Sequence, residues 1–160
     1  MLRFTGLWPL VILVSAVGCN REKTLPEKPD VSRPPISFRW VETESAPELI
    51  QAVVVGSNER VYVHRVSILE GEDLASIIAM PSDDGYPSLA MKFTPSGQEK
   101  LARVSTLNSG RRLGLIVDGV VVCAVTCRGP IGEDAIITGA FSMAEAERLA
   151  KRMNEFCPGR

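Results

Sequence analysis

Residues 88–126 read SLAMKFTPSGQEKLARVSTLNSGRRLGLIVDGVVVCAVT, and this stretch decides the fold. Ser88 to Phe93 is an apolar run of strand length. Thr94-Pro95 then opens a helix. Threonine is a favoured N-cap, and proline suits the first helical position, where its missing N–H costs nothing. Gly97, Leu101, Val104 and Asn108 fall on one side of that helix, with Leu107 adjacent. Gly110 ends it as a left-handed C-cap. Arg112 to Val117 and Val120 to Cys127 flank Asp118-Gly119, the pair that supplies the positive φ angles of a type I′ hairpin turn.

Upstream of this stretch the pattern is that of strands. Ile36 to Glu42 alternates Ile36, Phe38 and Trp40 with Ser37, Arg39 and Val41, which predicts a strand with one buried face. Ala46 to Val55 reads as a short turn leading into a strand. Arg60 to Arg65 alternates Val61 and Val63 with Tyr62 and His64. Leu74 to Met80 and Ser88 to Phe93 bracket a turn-rich Pro81-Ser-Asp-Asp-Gly-Tyr-Pro87 and form a hairpin. Downstream, Ala135 to Thr138 is a further short strand. Ser142-Met-Ala-Glu145 is a capping box, and Met143, Ala146, Leu149, Ala150 and Met153 line one stripe of the helix it opens. Helices that follow separate hairpins, rather than joining parallel strands, give an α+β fold. The expectation is an antiparallel or mixed β-sheet with two α-helices, about 94–109 and 142–156, packed on one face.

Composition sets limits on function. The 160 residues are 45% hydrophobic and 23% charged, which is ordinary globular usage. Eighteen Lys and Arg against nineteen Asp and Glu give a net charge of −1, so no global basic field exists for gripping nucleic acid. One histidine, His64, makes a multi-histidine metal site impossible. Beyond the N-terminus no run of 18 or more apolar residues occurs that would cross a membrane.

The N-terminus reads as an address. Arg3 precedes the apolar run Leu7 to Val14, and the small residues Ser15-Ala-Val-Gly18 lead to Cys19. A charged start, a short apolar core and a small-residue site make a signal peptide over 1–18. Ala-Val-Gly-Cys resembles the bacterial lipobox, with Ala16 where leucine is more usual, so Cys19 is the expected lipidation site. Asn20 is not the aspartate associated with inner-membrane retention in some bacteria, which leaves outer or inner membrane open. Residues 19–35 hold four prolines and mixed charges with almost nothing to bury, and read as a disordered, Pro-rich tether. At about 3 Å per residue it reaches roughly 50 Å from a lipid surface. The folded module is expected over 36–157.

Pro87 to Phe156 resembles the periplasmic head subdomain of SecD/SecDF, the protein-export membrane proteins that assist the Sec translocon. The similarity is carried by Leu89 to Gly97, like the family's strand and Phe-Thr-Pro-x-Gly, and by Asn108-Ser-Gly-Arg-Arg-Leu113, like its Asn-x-Gly-Lys-x-Leu. Leu115-Ile-Val-Asp-Gly119, Ile136 to Ser142 and Glu145 to Ala150 continue it in order, and Leu69 to Asp73 looks like the family's upstream Leu-Thr-Gly-Glu-Asp. The family often has Ser-Ala-Pro after the hairpin where this chain has Cys123-Ala-Val125, and without that proline a longer paired strand is possible. The resemblance implies a domain that touches polypeptide rather than one that performs covalent chemistry. Family members also carry many membrane-spanning helices that use the proton gradient, and none is expected in this chain.

No catalytic residue, metal site or cofactor is expected. His64 reads as a solvent-facing strand residue, and no nucleophile elbow or phosphate loop accompanies it. Glu70, Glu72, Asp73 and Asp83, Asp84 read as solvated turns. Cys123 and Cys127, about 13 Å apart along a strand, are too distant for a mutual disulfide, while Cys157 could pair with Cys127 or Cys123 in an oxidising compartment. A zinc site from these cysteines lacks a fourth ligand. The leading function is a lipid-anchored module at the periplasmic face of a bacterial membrane whose partner is protein or extended polypeptide, accessory to protein export. The alternative is a structural adaptor or oligomerising envelope lipoprotein with no export role. Exposed strand edges suit the first, because backbone pairing is insensitive to sequence.

Overall fold

The computed structural model describes residues 34–158. The signal segment, Cys19 and the tether up to residue 33 lie outside the described residues. In chain order the elements are β1 (Ile36–Glu42), β2 (Ile50–Val53), β3 (Arg60–Val63), β4 (Leu69–Glu70), a 3-10 turn (Gly71–Asp73), β5 (Leu74–Pro81), β6 (Pro87–Phe93), α1 (Pro95–Leu107), β7 (Arg112–Val117), β8 (Val120–Thr126), β9 (Asp134–Thr138) and α2 (Met143–Asn154). The strands pair antiparallel, and the fold is α+β.

The strands divide between two sheets. The first runs β2-β3-β1-β7-β8, with β4 sharing the β3 side of β1. The second is β5-β6-β9. β1 follows the predicted alternation, but both of its faces are covered. Ile36 and Phe38 enter the main core, while Ser37, Arg39 and Val41 on the opposite face are buried as well. The cause is curvature. The chain after β2 swings round to β8, where Val54 bridges Val121 in parallel and the Val55 N–H donates to the Val121 carbonyl at 3.0 Å. Closing the sheet in this way traps a second apolar cluster of Val41, Val54, Val61, Val63, Ile116 and Val121. The buried Arg39 guanidinium donates to Ser37 Oγ at 3.0 Å and to the Arg65 carbonyl at 2.9 Å, as a buried charge must.

The main core joins the two sheets. Ile77, Leu89, Met91, Phe93 and Ile137 face Phe38, Leu113 and Leu115, and the Phe38 and Phe93 rings lie 6.1 Å apart. Each such fully buried side chain contributes about 1.5–3 kcal/mol. α2 packs along β5 and β6 through Ala146, Ala150 and Met153. α1 rests on the 3-10 turn, β4 and β6.

Both helix starts behave as their sequences predict. Thr94 Oγ1 accepts from the Gly97 N–H at 3.1 Å, and Ser142 and Glu145 form a reciprocal capping box. Asp118 and Gly119 take φ values of 48° and 82°, and Gly110 takes 89°. Gly97 is glycine for a different reason. A Cβ there would lie 2.2 Å from the Asp73 carbonyl oxygen, because the first turn of α1 is seated on the 3-10 turn. The buried stripe of α1 is Gly97, Leu101 and Ser105. Ser105 does not stand out as a core residue because it is polar. Its hydroxyl accepts from the Ile131 N–H at 2.9 Å and so fastens the loop before β9 to the helix.

Candidate functional site

The two sheets do not close on each other completely. Where α1 meets both of them an apolar cleft of about 300 Å³ remains. Phe38 and Leu113 line it from the first sheet, Met91 and Phe93 from the second, and Leu101 from α1. Its rims are Val125 and Thr126 of β8 and Ala135 to Ile137 of β9. A concave apolar surface flanked by strand edges can take apolar side chains from an extended chain.

The outer strand edges of the two sheets differ in how they are occupied. β5 is guarded by α2. The Asn154 amide accepts from the Ile77 N–H at 3.0 Å and donates to the Ile77 carbonyl at 2.7 Å, so one side chain satisfies both backbone groups of that edge residue. β8 is guarded by Arg112, whose guanidinium donates to the Ala124 carbonyl at 3.3 Å while holding Glu59, and by the contact with Val55. β9 carries no such cover. The Phe93 N–H donates to the Glu133 carbonyl at 3.2 Å, and the register Met91 to Ala135 and Leu89 to Ile137 continues in steps of two. Glu133, Ala135 and Ile137 therefore bond toward β6, while Asp134, Ile136 and Thr138 turn their backbone N–H and C=O outward. Among the described residues none bonds to those outward groups. The Ile136 side chain is 63% exposed.

A polar cluster lies at the far end of β1. His64 Nε2 sits 3.0 Å from Glu42 Oε1, Arg111 Nη2 donates to the same oxygen at 2.7 Å, and the guanidinium lies 4.5 Å over the Trp40 ring. The Arg111 hydrogen bond, opposed by burial and helped by His64, holds the Glu42 carboxyl below its ordinary value. His64 is half-exposed and faces a carboxylate and a guanidinium; among the described residues no hydroxyl or thiol is hydrogen-bonded to it. The same region bears an open depression of about 340 Å³ that includes Glu44 and Glu48.

One acidic residue read from sequence as part of a solvated turn is not solvated. Asp73 is 3% exposed. It accepts from Lys100 Nζ at 2.7 Å and from the Glu70 N–H at 3.1 Å, while its carbonyl takes the Thr94 N–H at 2.9 Å. Asp73 is thus the post on which α1 is seated. The hydrogen bond to Asp73 raises the Lys100 pKa. Among the described residues no group of three or more His, Cys, Asp or Glu could hold a metal ion.

Cys123 and Cys127 are buried in the main core and Cys157 is half-buried against it. All three are free thiols in the structure. Burial pushes the Cys123 thiol up to about 11, and raises Cys127 and Cys157 as well. No helix among the described residues is long and apolar enough to cross a membrane.

Residues 47–155 match the family model for SecDF, P1 head subdomain. The chain is 38% identical over 84 residues to the protein translocase subunit SecDF of Thermus thermophilus, covering 52% of this chain and 11% of that protein. It is 35% identical over 85 residues to the protein translocase subunit SecD of Acidaminococcus fermentans, covering 52% of this chain and 20% of that one. A solved structure of SecDF, described as a membrane component that enhances protein export, shares the fold with a TM-score of 0.60 at 27% identity, over 74% of this chain and 60% of that chain. The chain therefore spans a fifth or less of the length of these two translocase subunits.

Proposed function

From membership in the SecDF P1 head subdomain family, to which this chain belongs, we propose that the protein is a polypeptide-binding module of the bacterial cell envelope, accessory to protein export. The observation that carries this reading is the apolar cleft between the two sheets, bordered by the uncovered strand β9. The cleft supplies apolar contact without a titratable group at its centre, which suits a reversible hold on unfolded chain rather than bond-making chemistry. Cys19 is the lipid attachment point in this reading, and residues 19–35 are the tether that lets the module reach from the periplasmic face of the membrane.

Photocrosslinking tests it. A benzophenone amino acid placed at Ala135 should trap exported polypeptides in cells, while the same group at exposed Arg103 on α1 should trap few. Equal yields at both positions would sink the polypeptide-binding role. Mass spectrometry of the mature chain tests the anchor: an N-terminal cysteine carrying acyl mass is expected, and an unmodified one would remove it.

A second reading, an adaptor or oligomerising lipoprotein without an export role, is favoured by one observation. Ile78, Met80 and Ile136 leave apolar surface exposed on the outer face of the second sheet. A stable dimer in sedimentation that buries this face, with no crosslinks from Ala135 to exported chains, would support it.

A further inference from the structure

We infer that the site recognises its polypeptide by strand addition, the incoming segment pairing through its backbone with the outer edge of β9 and lowering every second side chain into the cleft. This inference rests on the polypeptide-binding reading and specifies how that binding is done. Three features of the structure converge on it. The first is the contrast between edges. Asn154 closes β5 at Ile77 and Arg112 closes β8 at Ala124, which is how proteins blunt edges they do not use. β9 has no equivalent, although it is central to the cleft rim. The second is register. Asp134, Ile136 and Thr138 turn three consecutive sets of N–H and C=O outward at strand spacing, a template that only an extended backbone satisfies. The third is the pleat. Ala135 and Ile137 face the cleft side of the sheet while Ile136 faces solvent, so a paired segment would alternate in the same way.

The occupant is therefore an extended segment with apolar residues at alternate positions, the pattern of an amphipathic strand before it has found its own sheet. Charge adds a preference at one end. Glu133 and Asp134 are exposed carboxylates at the start of the edge, so a lysine flanking the apolar positions at that end fits best.

The test uses the full chain in detergent and a fluorescein-labelled peptide of nine residues alternating threonine and valine, with a lysine at each end. Fluorescence anisotropy is read for this peptide and for two versions N-methylated at alternate amides, one in each frame. Strand addition predicts that methylation in the frame facing β9 weakens binding by more than about thirtyfold, because two or three backbone bonds are lost and the methyl groups hold the strands apart. Methylation in the other frame should leave affinity within about twofold. Equal effects in both frames, or no effect in either, would overturn the inference while leaving the cleft as a site for apolar side chains. If the unmethylated peptide fails to bind, the polypeptide-binding reading falls too.

A protein variant gives an independent arm. Ile136→Pro removes an N–H that faces away from β6, so the fold should tolerate it, and peptide affinity should drop about tenfold. Ile136→Thr keeps that N–H and should bind within about threefold of the parent. If Ile136→Pro does not fold, the methylated peptides on the parent chain decide the matter alone. A parent chain that dimerises in sedimentation, with the dimer abolished by Ile136→Pro, would show that a second copy takes the edge and would overturn the assignment to an incoming segment.

Discussion

Replacing Gly97 by alanine tests the way α1 is seated. In an exposed helix interior this change would stabilise by roughly 0.5–1 kcal/mol, since alanine loses less backbone entropy on folding. At this position the new Cβ would lie 2.2 Å from the Asp73 carbonyl oxygen and 3.0 Å from the carbonyl carbon. Both atoms are backbone, so no flexible side chain can swing away. Relief requires the helix and the turn to part by about 1.3 Å or more, by comparison with ordinary contact distances of 3.5–4.0 Å. That movement stretches the two bonds onto the Asp73 carbonyl, from the Thr94 N–H at 2.9 Å and Thr94 Oγ1 at 3.2 Å. Overpacking of this kind costs about 1–3 kcal/mol, and the two stretched hydrogen bonds together about 1 kcal/mol. The clash outweighs the helix preference, leaving a net destabilisation of about 2 kcal/mol. For a domain of this size that lowers the thermal midpoint by about 8 °C. Circular dichroism melts of the parent, Gly97→Ala and Gly129→Ala supply the measurement. Gly129 has nothing within 4 Å of a built Cβ and should melt with the parent. A Gly97→Ala chain that melts at or above the parent temperature would refute the close seating of α1 on the 3-10 turn.

Asn154→Ala removes both bonds to the Ile77 backbone and should cost about 2 kcal/mol in urea unfolding; it should also raise self-association in sedimentation, because the β5 edge becomes available. Asn154→Asp keeps only the acceptor and should fall between the two. Acid titration should reveal Glu42 and Glu59, whose carboxyls are held below their ordinary value of 4.5, chiefly by hydrogen bonds from Arg111 and Arg112. Their contribution is present above that value and is lost as pH falls through the lower folded values. With the carboxylates about 40% exposed, solvent screening keeps each pair near or below 1 kcal/mol, and Glu42→Gln should flatten the acid limb of a stability–pH curve. At the alkaline end the Lys100 contribution is complete below 10.5 and is lost as pH rises through its raised value, so Asp73→Asn should remove that limb. Thiol labelling of a Cys19→Ser chain at pH 8 should be slow while it is folded, slowest at Cys123, and should yield three thiols per chain after unfolding without reductant. A yield of one would instead establish the expected Cys157 bridge to Cys127 or Cys123.

Much of this molecule is legible in one dimension because its signals are local. Thr94-Pro95, the Ser142–Glu145 capping box, Asp118-Gly119 and Gly110 each act within a few residues, and each is found where the sequence puts it. The strand alternation around Ile36 and Val61 and the apolar run around Leu89 are equally local, and with the stripe of α2 they fix an α+β fold, whereas Leu107, read beside the stripe of α1, is exposed. What the sequence could not tell is how surfaces distant along the chain close on each other. Nothing near Arg39 announces that the sheet will curl until Val54 meets Val121, so a residue that reads as solvent-facing becomes buried. Asp73 reads as a turn carboxylate because its partner, Lys100, is 27 residues away, and nothing in the sequence singles out Asn154 because its partner, Ile77, is 77 residues away. Hydrophobic period and turn chemistry are properties of neighbours in sequence, so they determine elements. The guarded and unguarded edges, and the cleft between two incompletely joined sheets, are properties of neighbours in space, and only the folded chain could decide them.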